Sequence, residues 1–68
     1  MDTTKIITNT QIIERINEYV HSKRYRELLR MRLVDGLTYE QIAEAVEMSP
    51  AQVYRIVKKY AGMIKNDE

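Results

Sequence analysis

The sequence predicts an all-α fold, a small orthogonal bundle of about four helices in which the last two are joined by a tight turn. Three observations carry this. Apolar residues recur at helical spacing in separate segments, and no run alternates as a strand would. The pattern Thr/Ser-x-x-Gln, in which side chain and backbone satisfy each other at a helix start, occurs at Thr8/Gln11, Thr38/Gln41 and Ser49/Gln52. Gly36 closes one periodic stretch, and the single proline, Pro50, opens another.

Taken in order, residues 1–7 carry no helical period and are expected to form a flexible N-terminus, leaving 8–66 as a single domain. From Thr8, the residues Ile12, Ile13, Ile16, Tyr19 and Val20 mark one face of a first amphipathic helix that ends near His21 and Ser22. A second helix is expected from about Lys23 to Asp35, with Tyr25, Leu28, Leu29, Met31 and Leu33 as its apolar positions. Gly36 stops it by taking the left-handed conformation that side chains disfavour, and Leu37 is placed to fold back over that end. The third helix starts at the Thr38 cap and turns Ile42, Ala43 and Val46 inward. Its period breaks at Glu47-Met48. The fourth, about 50–62, has a serine cap, a proline at its first position and a glutamine at the box position, and it buries Val53, Ile56, Val57 and Tyr60.

Residues 37–60 therefore meet the requirements of a helix-turn-helix. Two crossing helices need a small residue where they touch, and Ala43 is that residue; Ile42, Val46, Met48, Val53 and Ile56 fill the positions that lock the crossing. Glu47 stands where such turns often carry glycine, at a cost of roughly 1 kcal/mol if the backbone there is left-handed. In this arrangement the fourth helix is a recognition helix that enters the major groove of double-stranded DNA. Its base-reading candidates are Pro50, Ala51, Gln52, Tyr54 and Arg55: glutamine can pair bidentately with adenine, arginine with guanine, and alanine can meet a thymine methyl. Lys58 and Lys59 are candidate phosphate contacts, as are Thr38 and Tyr39 at the start of the third helix. Arg30 and Arg32 are further phosphate candidates.

Charge and composition bound the alternatives. The formal net charge is only +1, but it is segregated. Lys23, Arg24, Arg26, Arg30 and Arg32 cluster with Glu27 alone among them, and Arg55, Lys58, Lys59 and Lys65 fall in a run without acids. There is no cysteine, so a disulfide framework or thiolate metal site is excluded. His21 sits at a helix end with no further ligands nearby, and neither metal nor cofactor is expected. Glu40, Glu44 and Glu47 follow helical spacing on a surface and offer no nucleophile with a base beside it, so the chain is not expected to be an enzyme. Apolar runs of a few residues exclude a bilayer span, and the N-terminus lacks the apolar core of a signal peptide; the expectation is a soluble, cytoplasmic protein.

The stretch RELLRMRLVDGLTYEQIAEAVEMSPAQVYRIVKK resembles region 4 of the bacterial sigma-70-type factors and related small phage and regulator domains. The likeness is carried by Arg26 through Leu33, by Asp35-Gly36-Leu37-Thr38, by Ile42-Ala43, and by Ser49 followed by Val53 and Ile56. It implies a DNA-binding transcriptional regulator, of phage or mobile-element type, whose residues after the serine cap read a promoter element. In this chain Pro50 and Ala51 replace charged residues often found at the first two of those positions, so promoter specificity does not transfer. The resemblance also implies a second reading from a different class, a protein-interaction module that mimics region 4 and binds RNA polymerase or a sigma factor. A third, the DNA-binding piece of a recombinase, would need a catalytic domain outside this chain. The first helix has two uses as well. Ile12, Ile13, Ile16, Tyr19 and Val20 either complete the core or form a homodimer interface, which would place two recognition helices on half-sites about one turn of DNA apart.

Overall fold

A computed structural model of the protein describes residues 8–65. The expectations for 1–7 and for the domain edge at residue 66 lie outside them. The elements are α1 (Asn9–Tyr19), α2 (Lys23–Leu33), α3 (Tyr39–Val46) and α4 (Pro50–Lys65). Both α2 and α4 touch every other helix, while α1 and α3 do not meet. α2 and α4 therefore form the spine, with α1 and α3 on either side of it.

Local chemistry sets the boundaries. Thr8 and Gln11 form a reciprocal box at the start of α1, with the Thr8 N–H donating to Gln11 Oε1 at 3.1 Å and the Gln11 N–H to Thr8 Oγ1 at 3.2 Å. Thr38 and Gln41 repeat it on α3 at 2.9 and 3.1 Å. The α2 start is capped more simply by Ser22, whose hydroxyl accepts from the Tyr25 N–H at 3.3 Å; position 25 holds no side chain able to complete a box. α2 ends two residues before the expected Asp35. Gly36 follows with φ +75°, and the Leu37 N–H returns to the Met31 carbonyl at 3.0 Å.

The core contains apolar side chains alone among the described residues. It is built from Ile12, Ile16 and Val20 at α1 and its end, Leu28 and Leu29 of α2, Ile42, Ala43 and Val46 of α3, and Val53, Val57 and Ile64 of α4. Ile12, Ile16 and Val20 are therefore enclosed within the chain and closed to a second copy. Only Ile13, half-buried, and Tyr19, 47% exposed, remain of the five residues offered for a dimer interface. Tyr19 departs from its expected place on the apolar face because α1 ends there and Val20 takes the last buried position.

α4 also differs from expectation. It continues three residues past Gly62, and Ile64 is fully buried. Glycine lowers helix propensity by only about 1 kcal/mol, and packing of an isoleucine two residues later outweighs that. The Arg15 Nη1 on α1 donates to the Ile64 carbonyl at 2.9 Å and ties down the far end.

The turn between α3 and α4 is left-handed at Glu47, with φ 60° and ψ 47°. It is the one non-glycine residue with positive φ among the described residues. Glu47→Gly is expected to raise stability by about 0.5–1 kcal/mol, the relief of the left-handed penalty reduced by the greater freedom glycine gives the unfolded chain. A urea titration would show this as a higher midpoint at unchanged slope, and a lower midpoint would mean that the turn is not strained.

Candidate nucleic-acid interface

The exposed side of α4 has a centre and two flanks. At 3.6 residues per turn, Ala51, Arg55, Lys58 and Gly62 fall on one line, and all four are exposed. Tyr54 lies on the α3 side of that line, where its ring meets Tyr39 edge-on, centroids 5.3 Å apart at 84°. Gln52 and Lys59 lie on the α2 side, beside grooves of about 160 and 290 Å³ that share Tyr25, Arg55 and Ile56 as lining. Pro50 is exposed at the helix tip. The five base-reading candidates thus share one end of one helix but spread across its width, and Lys58, assigned from sequence to the backbone, stands on the central line.

Gln52 is less free than the sequence suggests. Its Oε1 accepts the Ser49 N–H at 3.3 Å, and its own N–H donates to Ser49 Oγ at 3.2 Å. The carboxamide oxygen needed to pair with the adenine amino group is already held in the cap, so bidentate pairing requires the cap to open. In the closed form Nε2 is the part of the carboxamide that the cap does not use.

The basic cluster of α2 divides in an unforeseen way. Two of its arginines reach backbone carbonyls left unpaired where helices end, and a third binds a loop carbonyl. Arg24 hydrogen-bonds the Val46 carbonyl through both Nε, at 3.1 Å, and Nη2, and also reaches the Glu47 carbonyl at 3.3 Å. Arg26 binds the Val20 carbonyl at 2.5 Å and that of Asn17 at 3.4 Å. Arg32 Nη1 donates to the Leu37 carbonyl at 2.8 Å while its guanidinium covers the Tyr39 ring, 4.5 Å from the centroid.

Arg32 is thus a clamp on the loop before α3, with one of its donors committed there. Arg30 is exposed, but it lines a groove whose other residues come from α1 and α2 alone, away from the exposed side of α4. Helical spacing separates the two arginines by almost half a turn, so one DNA strand cannot meet both. Arg24→Ala is expected to cost about 1–2 kcal/mol, because charged hydrogen bonds at the end of α3 go unmade. Chemical denaturation measures it; a change within about 0.5 kcal/mol would show that water replaces the clamp freely.

What remains to face a ligand is cationic. α4 carries no acidic residue, and Arg55 is exposed with no bonded partner among the described residues. Lys58 lies over the Tyr54 ring at 5.6 Å and Lys59 over the Tyr60 ring at 5.5 Å, both still exposed. Thr38 is exposed at the α3 tip, its hydroxyl oxygen accepting from Gln41 but its proton free to donate. Tyr39 beside it is half-buried and is the first helical residue of α3. Among the described residues no group of three His, Cys, Asp or Glu is placed to hold a metal, and no helix is long and apolar enough to cross a membrane.

A family model described as Sigma-70, region 4 matches residues 22–59, more than half of the chain. The chain belongs to the sigma-70 region 4 family. Region 4 domains are non-enzymatic, DNA-binding helix-turn-helix units of the transcription machinery that also bind RNA polymerase. The match opens at the Ser22 cap of α2 and closes at Lys59, so it takes in the whole of α2, the turn and the exposed cations of α4. α1 and the last turn of α4, which meet through Arg15 and Ile64, lie outside the region 4 match. No curated protein and no solved structure matches the chain.

The sequence alone did not reveal the clamping arginines or the Tyr39–Tyr54 contact. The Arg24 and Tyr39–Tyr54 contacts join residues more than a dozen apart that only the packed bundle brings together, and the Arg26 and Arg32 bonds, five to nine residues long, depend on how the chain turns between helices.

Proposed function

We propose that the protein is a sequence-specific transcriptional regulator that inserts α4 in the major groove of double-stranded DNA. The observation that carries this is the exposed, acid-free side of α4, with Arg55 on its central line and without a bonded partner among the described residues. Arg55 reads a guanine edge through its fork of donors, and Ala51, a turn before it, offers a methyl to thymine. Pro50 packs at the groove edge, and Gln52 contributes a single donor while it stays in its cap. Lys59, the Thr38 hydroxyl and the Tyr39 N–H fix the register on phosphates. A twofold dimer through Ile13 and Tyr19 is a further part of the proposal, and these two residues make a smaller patch than the five first considered.

Arg24, Arg26 and Arg32 are held on carbonyls and Arg30 lines the groove between α1 and α2, so the cations brought to the duplex from described side chains are Arg55, Lys58 and Lys59. Five neutralised phosphates would give a logarithmic salt slope of about −4.5, whereas roughly two, for Lys58 and Lys59 with Arg55 on a base, give about −1.8. Anisotropy titrations between 50 and 200 mM salt, roughly the range over which such slopes are read, test the proposal. Binding that does not change with salt would contradict it.

The competing reading, a module that docks on polymerase or a sigma factor, draws on the exposed Glu40, Glu44 and Glu47 beside the turn. Arg55→Ala separates the two, because a protein-docking module working through α3 keeps its partner while the DNA reader loses specificity.

A further inference from the structure

Tyr54 does not stand alone on α4. Its ring abuts Tyr39 edge-on at 5.3 Å, the Tyr39 ring is covered by the Arg32 guanidinium at 4.5 Å, and Arg32 is anchored to the Leu37 carbonyl at 2.8 Å. On the outer side, Lys58 Nζ lies 3.4 Å from the Tyr54 hydroxyl oxygen. The result is a ladder from a backbone carbonyl through Arg32, Tyr39 and Tyr54 to Lys58, with its last two members exposed.

The protonation chemistry of that end is unambiguous. An ammonium has protons and no lone pair, so in this pair Lys58 donates and the phenol oxygen accepts. The phenol proton must then point elsewhere, and the ammonium keeps two more. Tyr54 and Lys58 together present donors only. In the major groove guanine offers two adjacent acceptors, O6 and N7; adenine sets an amino donor beside its N7, and cytosine offers an amino donor.

We propose that Tyr54 and Lys58 form a composite donor pair that reads the O6/N7 edge of a guanine, and that Tyr39, braced by Arg32, is a positioning residue that sets this specificity without touching the base. The inference rests on the reading of α4 as a major-groove helix. It moves Lys58 from a phosphate to a base, and Tyr39 and Arg32 from phosphates to the support of Tyr54. Phosphate oxygens are also acceptors, so the test must separate the two sources.

The test is selection of bound duplexes from a random pool with the unaltered chain, followed by competition binding with single-base variants of the selected site. The chain should prefer guanine at one position by about tenfold. Tyr54→Phe, which removes only an exposed hydroxyl, should flatten that position and leave the others unchanged. Tyr39→Leu should flatten the same position although it faces no base, and Tyr39→Phe, which keeps the ring, should restore it. If Tyr54→Phe weakens binding equally at every sequence, the acceptor is a phosphate and the guanine assignment is wrong. If Tyr39→Leu leaves the profile intact, or the flattened position prefers adenine or cytosine, the proposal fails while DNA reading stands. Should Tyr39→Leu not fold, the Tyr54→Phe profile still decides. Absence of binding to any duplex overturns this inference together with the reading it rests on.

Discussion

Ile64→Ala is expected to destabilise the domain by about 2–5 kcal/mol, the range for truncating a large aliphatic residue in a closed core. A chain of 68 residues without disulfides has a net stability of only roughly 3–5 kcal/mol, so this one change should leave much of the population unfolded. The expectation depends on the extension of α4 beyond Gly62. Were the helix to end there, Ile64 would lie in a loose tail and its loss would stay within about 0.5 kcal/mol. Arg15→Ala should reproduce a fraction of the effect, since Arg15 holds the same turn through the Ile64 carbonyl. Urea unfolding followed by circular dichroism measures both.

The second large effect concerns recognition. Arg55→Ala is expected to cost about 1–3 kcal/mol of discrimination at one base pair, with no change in stability beyond about 0.5 kcal/mol. The residue is exposed and bonded to nothing among the described residues, so its removal leaves no unpaired group behind. Lys59→Ala should behave differently, weakening binding at all sequences and reducing the salt slope by about 1. Equal losses for Arg55→Ala across all sites would instead place Arg55 on the backbone.

The helix starts were legible because their chemistry is local. Thr8/Gln11, Thr38/Gln41 and Ser49/Gln52 each close within one turn, and all three boxes form as their spacing requires. Gly36 and Glu47 were legible for a related reason: a turn that demands positive φ shows itself where the helical period breaks, whether or not glycine is there. Ala43 is buried where α3 meets the other helices, as a crossing requires.

Long-range contacts were not legible. Ile64 follows a glycine that marks a stop in isolation, and only the packed core makes its burial favourable. From the sequence, Arg30 and Arg32 of α2 read as phosphate candidates. That reading missed the carbonyls at the end of α3, at the end of α1 and in the loop after α2, which Arg24, Arg26 and Arg32 bind. Gln52 was legible in two roles at once, cap and adenine reader, and the structure commits its oxygen to the first.

These reassignments alter the functional argument in one direction. They withdraw cations from α2 and concentrate recognition on Ala51, Tyr54, Arg55 and Lys58, a narrow strip of a single helix. The most direct measurement of that claim is the affinity of the chain for the best duplex drawn from a random pool, compared with scrambled duplex of equal length. Specific binding that exceeds scrambled binding by about 10³-fold or more, and collapses when Arg55 and Tyr54 are both replaced, is the predicted result. Equal affinity for both duplexes, unchanged by the double replacement, would contradict it.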